Sequence, residues 1–180
     1  WESQFKQIKP LIRAGKVHAI TCTGANIEED VFNLVAQKSY KKISNWRNLS
    51  IDDEKKLFDE GYNRITDVCI PENEAIRYIE SKILKQWKSK SAFPHEHIFA
   101  IIDDLEPDIP TSNSWVVAAK EAKIPLYIPG WEDSTLGNIF AAHCLSNNCE
   151  INAIKNGTEY MLHLANWYKN SEEPVGILQI

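Results

Sequence analysis

The sequence predicts an α/β fold in which helices cover a mostly parallel sheet. Short β-prone runs alternate with segments whose apolar residues recur at helical spacing, and tight turns separate the two kinds of segment. The connections between the predicted strands are too long for hairpins, and parallel strands require such crossovers. Neither an internal repeat nor a linker divides the 180 residues. We therefore expect a single domain over residues 1–180.

The first predicted elements are a helix that stops at Gly15 and a strand over residues 16–23. Gly24-Ala25-Asn26 breaks this strand, and a second helical pattern starts at Ile27. This order of strand, tight turn and helix is the beginning of a βαβ unit. The apolar faces of the two helices consist of Phe5, Ile8, Leu11 and Ile12, and of Ile27, Val31, Leu34 and Val35.

The middle of the chain has a weaker pattern, and we expect a loop over residues 38–49. Ser50 and Asp53 have the spacing of a capping box, which predicts a short helix. Residues 64–70 are β-prone and end at Pro71, which predicts one strand. Two further helices follow, with apolar stripes of Ile76, Ile79, Ile83 and Trp87, and of Ile98, Ile101, Ile102 and Leu105.

The last third repeats the alternation of helix and strand. We expect Ser112 to cap a helix and residues 123–129 to form a strand, followed by a polar turn over residues 130–135. Residues 175–180 have the composition of a buried strand. Between this turn and that strand two more helices are predicted, carrying Leu136, Ile139, Phe140 and Cys144, and Tyr160, Met161, Leu164 and Tyr168.

The composition limits the classes of function. Twenty basic and 25 acidic residues give a net charge of −5, so the basic surface of a nucleic-acid-binding protein is missing. No apolar run approaches the roughly 20 residues that cross a bilayer, so we expect no membrane association. The four cysteines form no Cys-x-x-Cys pair, which predicts no metal site and a cytoplasmic location. We expect His95 and His97 to lie at a solvated helix start.

One candidate site is the segment over residues 23–30, which follows a predicted strand. Ligands of open parallel sheets collect at such carboxyl ends. Thr23 and Asn26 offer hydrogen bonds, and Gly24 allows close approach to the backbone. Carboxylates in the first helical turn repel phosphate and suit ribose hydroxyls or a protonated amine, but they equally serve to favour the helix dipole. Both interpretations apply to Glu28, Glu29 and Asp30.

A second candidate site is the segment over residues 129–138. Asp133 or Ser134 is placed to cap the next helix. Gly137 lies inside that helix, where glycine costs about 1 kcal/mol relative to alanine. This glycine indicates close packing or ligand approach, or is merely tolerated. With Trp131, the segment is a second acidic and aromatic loop at the end of a strand.

Four stretches, in order along the chain, resemble deoxyhypusine synthase, and most of all its bacterial deoxyhypusine-synthase-like branch. They are residues 22–36, 63–75, 129–141 and 157–168. The resemblance implies a Rossmann-like three-layer fold that binds NAD, and a homotetramer with active sites between paired subunits. It also implies that the chain is the central portion of the family's sequence, incomplete at both ends.

The resemblance further implies which residues contact the cofactor. Thr23, Gly24 and Ala25 match the family's turn at NAD, and Glu29 matches the acid beside the cofactor. Asp133 matches the aspartate of the family's second NAD-binding loop.

On the substrate side, Glu28 and Glu29 match the residues that face the polyamine. Asn138 replaces an aspartate that binds the polyamine in the eukaryotic enzymes. In the family, NAD takes a hydride from spermidine, and the aminobutyl group passes through an enzyme lysine to an acceptor amine.

The acceptor that the resemblance implies is a lysine of the hypusine-bearing translation factor. In homospermidine-forming relatives it is putrescine, which gives an alternative function. No lysine of this chain matches the nucleophile, so we assign no catalytic residue and expect this segment alone to be inactive. A truncated, non-catalytic module for NAD binding or assembly is therefore a third interpretation.

Overall fold

The computed structural model describes residues 2–179, with side chains from residue 8 onward, and it confirms the α/β class. The side chain of Phe5, and Ile180, lie outside the described residues. The helices are α1 (Glu2–Arg13), α2 (Gly24–Ala36), α3 (Ile51–Asp59), α4 (Tyr78–Trp87), α5 (Pro94–Ile101), α6 (Trp115–Glu121), α7 (Thr135–Leu145) and α8 (Gly157–Lys169). The strands are β1 (Ile20–Thr21), β2 (Lys41–Lys42), β3 (Tyr62–Ile65), β4 (Val68–Pro71) and β5 (Leu126–Tyr127).

Two short strands form a small parallel sheet. Strands β1 and β5 pair in parallel, with Ile20 opposite Leu126. A separate parallel bridge joins Ala92 to Ile154. Both β1 and β5 lie inside the predicted β-prone runs, residues 16–23 and 123–129, but each is only two residues long. The described residues do not form the predicted mostly parallel sheet, because the other three strands pair antiparallel. The predicted Rossmann-like three-layer arrangement is not confirmed.

The predicted single strand over residues 64–70 is wrong, because this stretch contains a hairpin. Strands β3 and β4 pair antiparallel, and β2 adds to the other side of β4. Thr66 stands in the turn with a φ of 54°, a left-handed conformation that is uncommon for a β-branched residue. Because threonine favours strands, the sequence carries no turn signal at Thr66.

The core forms from the predicted apolar faces. Helix α1 packs on α6, α4 packs on α5, and α2 packs on α6 and α7. The bulkiest fully buried side chains include Trp87, Trp115, Tyr127 and Tyr160. Two predicted apolar positions of α8 face outward instead, since Met161 and Tyr168 are each 62% exposed. Helical spacing therefore locates most of the core but not the outer face of α8.

Two boundaries differ from the prediction. Ser114, not Ser112, caps α6, because its hydroxyl accepts the N–H of Val117 at 3.0 Å. Residues 175–179 form no strand, and Ile177 is 91% exposed. A strand requires a neighbour to pair with, and none lies beside these five residues in the described part of the chain. Among residues 2–179, no helix combines the length and apolar content needed to cross a bilayer.

Candidate functional site

Three helix N-termini meet at the segment over residues 129–134, which follows β5. Helices α2, α7 and α8 begin after Thr23, Ser134 and Asn156, and the side chain of each of these residues accepts a backbone N–H of the first turn. A helix N-terminus keeps further N–H groups unpaired and carries a partial positive charge. At the starts of α7 and α8, side chains already accept the first three N–H groups, so the start of α2 is the one that presents backbone donors to a ligand with hydroxyl or anionic groups.

Glycines allow the three helices to approach this segment closely. A Cβ on Gly24 would stand 2.6 Å from the Cβ of Ser134, and one on Gly137 would stand 2.6 Å from the carbonyl oxygen of Trp131. A Cβ on Gly157 would likewise overlap a backbone atom of the segment. The glycine inside α7 is therefore required by packing, which decides between the interpretations that the sequence left open.

The turn before α2 brings together three of the residues predicted to contact a cofactor. The hydroxyl of Thr23 donates to Oδ1 of Asn26 at 2.6 Å and accepts the N–H of Asn26 at 3.3 Å. Thr23 and Ala25 are exposed, and Gly24 is buried against Ser134. The capping box thus fixes the shape of the turn and leaves its outer edge accessible.

Glu28 lies in a different place from the one predicted. Helix α2 begins at Gly24, so Glu28 falls in the second turn rather than the first. Its carboxylate is 5% exposed and accepts the N–H groups of Thr135 and Leu136, each at 2.9 Å. Burial raises the pKa of Glu28, and these hydrogen bonds act in the opposite direction. Glu28 therefore fixes α7 against α2, and its contact with a polyamine stays a prediction.

Asp30 performs the same task for α6. Its carboxylate accepts the hydroxyl of Ser114 and the N–H groups of Trp115 and Val116, the latter two at 3.3 and 3.2 Å. Burial raises the pKa of Asp30. Between these two residues, Glu29 is half-buried, and burial raises its pKa as well, followed by repulsion from the neighbouring carboxylates. Of the three acids, Glu29 alone is not used as a cap.

The acids of the second candidate segment lie at its surface. Asp133 is exposed, and its backbone N–H donates to the carbonyl of Gly130 at 3.1 Å. Glu132 is also exposed, and its carboxylate accepts the N–H of Gly157 at 3.3 Å. The structure therefore brings Asp133 to the same junction as the turn at Thr23. The sequence predicted both segments as candidate sites because each follows a predicted strand.

Asn138 lies elsewhere, in an open groove of about 340 Å³ between α4 and α7. Its amide nitrogen donates to the carbonyl of Ser134 at 2.7 Å, which ties it to the start of α7. We call this the α4–α7 groove, and its lining includes Arg77, Glu80, Asn138, Ala142, His143 and Ser146. The sequence did not predict the groove, because its two walls are about 60 residues apart along the chain.

A charged network forms the α4 wall of the groove. Glu80 accepts from Arg77 Nη1 and lies opposite His143 Nε2, both at 2.8 Å. Arg77 also pairs with Glu72 through Nε at 2.6 Å. Burial acts to raise the pKa of Glu80, but the hydrogen bonds from Arg77 and His143 lower it below its ordinary value. The Glu80 carboxylate is therefore fixed by Arg77 and His143 at the side of the groove, with 17% of its side chain exposed.

The expectation for His95 and His97 is wrong. His97 is fully buried, and its Nε2 lies 2.9 Å from the carbonyl of Ala153. His95 is half-buried, its Nδ1 lies 2.7 Å from the hydroxyl of Tyr160, and burial lowers its pKa to about 4. His95 thus joins α5 to α8 through Tyr160, and His97 joins α5 to Ala153, which precedes α8. The start of α5, which the sequence predicts to be solvated, is therefore packed in the interior.

The family model for deoxyhypusine synthase matches residues 4–173. A probable deoxyhypusine synthase of Methanothermobacter thermautotrophicus is 30% identical over 149 residues, which are 82% of this chain and 46% of the relative. Probable deoxyhypusine synthase 2 of Archaeoglobus fulgidus is 29% identical over 73% of this chain and 42% of its own length. A deoxyhypusine synthase-like protein of Elusimicrobium minutum is 29% identical over 77% of this chain and 36% of its own length.

These relatives confirm the resemblance that the four sequence stretches indicated, and the chain spans less than half the length of each. The family match also covers the three helix N-termini and the segment over residues 129–134 at which they meet. The chain therefore belongs to the deoxyhypusine synthase family.

Proposed function

We propose that this chain forms the NAD-binding part of an enzyme that transfers the aminobutyl group of spermidine to an acceptor amine. The observation that carries the proposal is the junction of three helix N-termini at residues 129–134, in a chain that belongs to this family. A dinucleotide has a pyrophosphate that needs N–H donors and ribose hydroxyls that need carboxylate acceptors. At this junction the start of α2 offers N–H donors, and Asp133 and Glu29 offer carboxylates.

The residues present fit NAD. Thr23 and Ala25 form the exposed edge of the turn, and Asp133 adds an exposed carboxylate for a ribose. Gly24 holds the turn against the segment, and Glu29 is the acid of α2 that no helix start uses. When bound, NAD would accept a hydride from the amine and return it after the transfer.

The order of strands and helices also supports the proposal. The parallel pair β1–β5, with α2 following β1 and α7 following β5, matches the arrangement of a dinucleotide-binding sheet at its ligand-binding edge. We infer that this pair belongs to the centre of a Rossmann-like three-layer domain. The family further supports a homotetramer in the cytoplasm, with a protein lysine as acceptor and putrescine as the alternative.

Calorimetric titration of NAD into the chain tests the cofactor part of the proposal. We expect saturable binding and a rise in the melting temperature, because a ligand that binds the folded state stabilises it. The absence of both effects at millimolar NAD would contradict the proposal.

Incubation with NAD and spermidine tests the transfer. In the enzyme that includes this chain, release of diaminopropane is expected, followed by labelling of the translation factor or formation of homospermidine from putrescine. If NAD binds but neither acceptor supports release, the chain is a non-catalytic NAD-binding module. Labelled spermidine with each acceptor separately distinguishes the two enzymatic outcomes.

A further inference from the structure

The solvent-facing side of α4 carries a row of lysines. Lys82, Lys85 and Lys88 follow one another at intervals of three residues, and each interval is a rise of about 4.5 Å along the helix axis. Lys90 comes shortly after the end of the helix. Lys82 is half-buried, with its Nζ 5.2 Å from the ring centre of Tyr78, and the other three are exposed. The row therefore presents ammonium groups to solvent at regular spacing.

No carboxylate neutralises this row. Within residues 8–179, whose side chains the structure describes, none of the four lysines forms an ion pair. The two acids closest to the row along the chain are engaged elsewhere, because Glu80 binds Arg77 and His143, and Glu96 caps α5. In a chain with a net charge of −5, the row is therefore a local excess of positive charge.

The segment over residues 149–155 extends the positive charge. The N–H of Ala92 donates to the carbonyl of Ala153, and the N–H of Lys155 donates to the carbonyl of Ala92, both at 3.0 Å. These bonds place the segment beside the residues that follow α4. The Nζ of Lys155 lies 4.6 Å from the ring centre of Phe93, and the structure gives it no carboxylate partner among the described residues. Lys155 is thus a fifth uncompensated lysine next to the row.

Two exposed aliphatic side chains border these lysines. Ile151 lies in the segment over residues 149–155 and is 73% exposed. Leu145 lies in the last turn of α7 and is 87% exposed. This turn packs beside the end of α4 through the rings of Trp87 and His143. Covering both aliphatic side chains would remove apolar surface from water, which favours association. We call the following residues the lysine surface: Lys82, Lys85, Lys88, Lys90, Leu145, Ile151 and Lys155.

The chemistry of the lysine surface fits an acidic helix of another protein. Carboxylates three or four residues apart on a helix are spaced like the lysines of α4, so the two rows can face each other. Nucleic acids are bound through guanidinium forks and aromatic stacking, and the lysine surface contains neither group. A bilayer requires a larger apolar face than two aliphatic side chains provide.

We propose that the lysine surface docks an acidic amphipathic helix of a partner protein. The lysines would attract and orient the helix, and Leu145 and Ile151 would supply the apolar contact. The proposal goes beyond the proposed function and does not depend on it. None of the residues of the lysine surface lies in the segment over residues 129–134 or caps a helix there.

Titration of a synthetic acidic peptide tests the proposal. The probe is a labelled peptide of about 20 residues, long enough to be helical, in which glutamate and leucine recur at helical spacing. Its counterpart carries lysine in place of glutamate. Fluorescence anisotropy at low salt should show saturable binding of the acidic peptide and none of the basic one. Added salt should weaken the binding, because it screens the charges.

Two charge-reversal variants locate the binding surface. Lys85→Glu combined with Lys88→Glu should bind the acidic peptide about tenfold more weakly, because two attractions become repulsions. The matched control is Lys55→Glu combined with Lys56→Glu, which makes the same change of net charge at two exposed positions of α3. The control should retain most of the affinity. Ile151→Ser should weaken the binding several-fold and leave its salt dependence unchanged, since it removes only an apolar contact.

Each remaining result overturns the proposal. These results are no binding of the acidic peptide, equal losses in the two charge-reversal variants, and tighter binding of heparin or of phosphatidylserine vesicles than of the peptide. Self-association of the chain that Lys85→Glu with Lys88→Glu abolishes would assign the surface to a second copy instead. Melting temperature and NAD affinity, measured on the same samples, identify any variant that does not fold. If the peptide binds and NAD does not, the proposed function fails and the docking surface stands.

Discussion

Glu28 on α2 accepts the backbone N–H of Leu136 on α7 at 2.9 Å, so a carboxylate of one helix caps the start of another. Its second oxygen accepts the N–H of Thr135 at the same distance. These bonds fix the angle between the two helices whose N-termini form the proposed cofactor site. The side chain that the family resemblance matches to the polyamine side therefore also joins the two helices at the proposed cofactor site.

Replacing Glu28 should therefore destabilise the fold. We expect Glu28→Ala to lower the free energy of unfolding by about 2–4 kcal/mol, because two buried N–H groups lose a charged acceptor. Urea denaturation followed by circular dichroism measures the change. Glu121→Ala is the control, since Glu121 is 62% exposed and should change the stability by less than about 0.5 kcal/mol. Equal stability of the two variants would show that the cap contributes nothing.

Gly137 should tolerate no larger residue. In Gly137→Ala the new Cβ would stand 2.6 Å from the carbonyl oxygen of Trp131, so the segment over residues 129–134 must shift. We expect a loss of about 1–3 kcal/mol of stability together with weaker NAD binding. Gly130→Ala is the control in the same segment, because a Cβ on Gly130 meets no atom within 4 Å. Thermal melting and NAD titration compare the two, and matching behaviour would contradict the prediction.

His95 should make the stability depend on pH. Its pKa is lowered to about 4 by burial, whereas an ordinary histidine titrates near 6.5, so the unfolded chain binds the extra proton between these values. The contribution of His95 is thus complete above pH 6.5 and is lost as the pH falls towards 4, by up to about 3 kcal/mol. Denaturation curves at pH 7.5 and pH 5 measure this difference.

A variant separates His95 from the other titrating groups. His95→Gln should show a smaller loss of stability between pH 7.5 and pH 5 than the wild-type chain does. The pKa of buried His97 is lowered as well, so part of the pH dependence should persist. His18→Gln, at an exposed position, should keep the wild-type profile. An unchanged profile in His95→Gln would refute the assignment.

Asp133 should act on binding and not on stability. It is exposed at the junction of the three helices, so Asp133→Ala should leave the melting temperature unchanged. We expect its affinity for NAD to fall about tenfold, since a carboxylate that accepts ribose hydroxyls is lost. Glu106→Ala removes an exposed acid of the same charge far from the segment along the chain and should bind NAD normally. If both variants bind alike, Asp133 does not contact the cofactor.

Local chemistry made part of this site predictable. Ser134 as a cap follows from a polar residue before a helical pattern, and the packing role of Gly137 follows from a glycine where helix propensity disfavours it. Spacing also predicted most of the buried faces, because burial along a helix repeats with its turn. The sequence failed where a turn residue resembles a strand residue, as at Thr66, and at residues 175–179, where strand composition occurs without a pairing neighbour.

The sequence by itself determined the helices, the two parallel strands, the capped turns and, through four ordered stretches, the family. Only the tertiary structure decided what the acids do. Glu28 meets its N–H donors more than 100 residues along the chain, and Glu80 meets His143 63 residues away. No local pattern encodes such partners, because hydrogen bonding and burial depend on which distant elements pack together. The same three acids of α2 therefore separate into two caps and one candidate ligand contact.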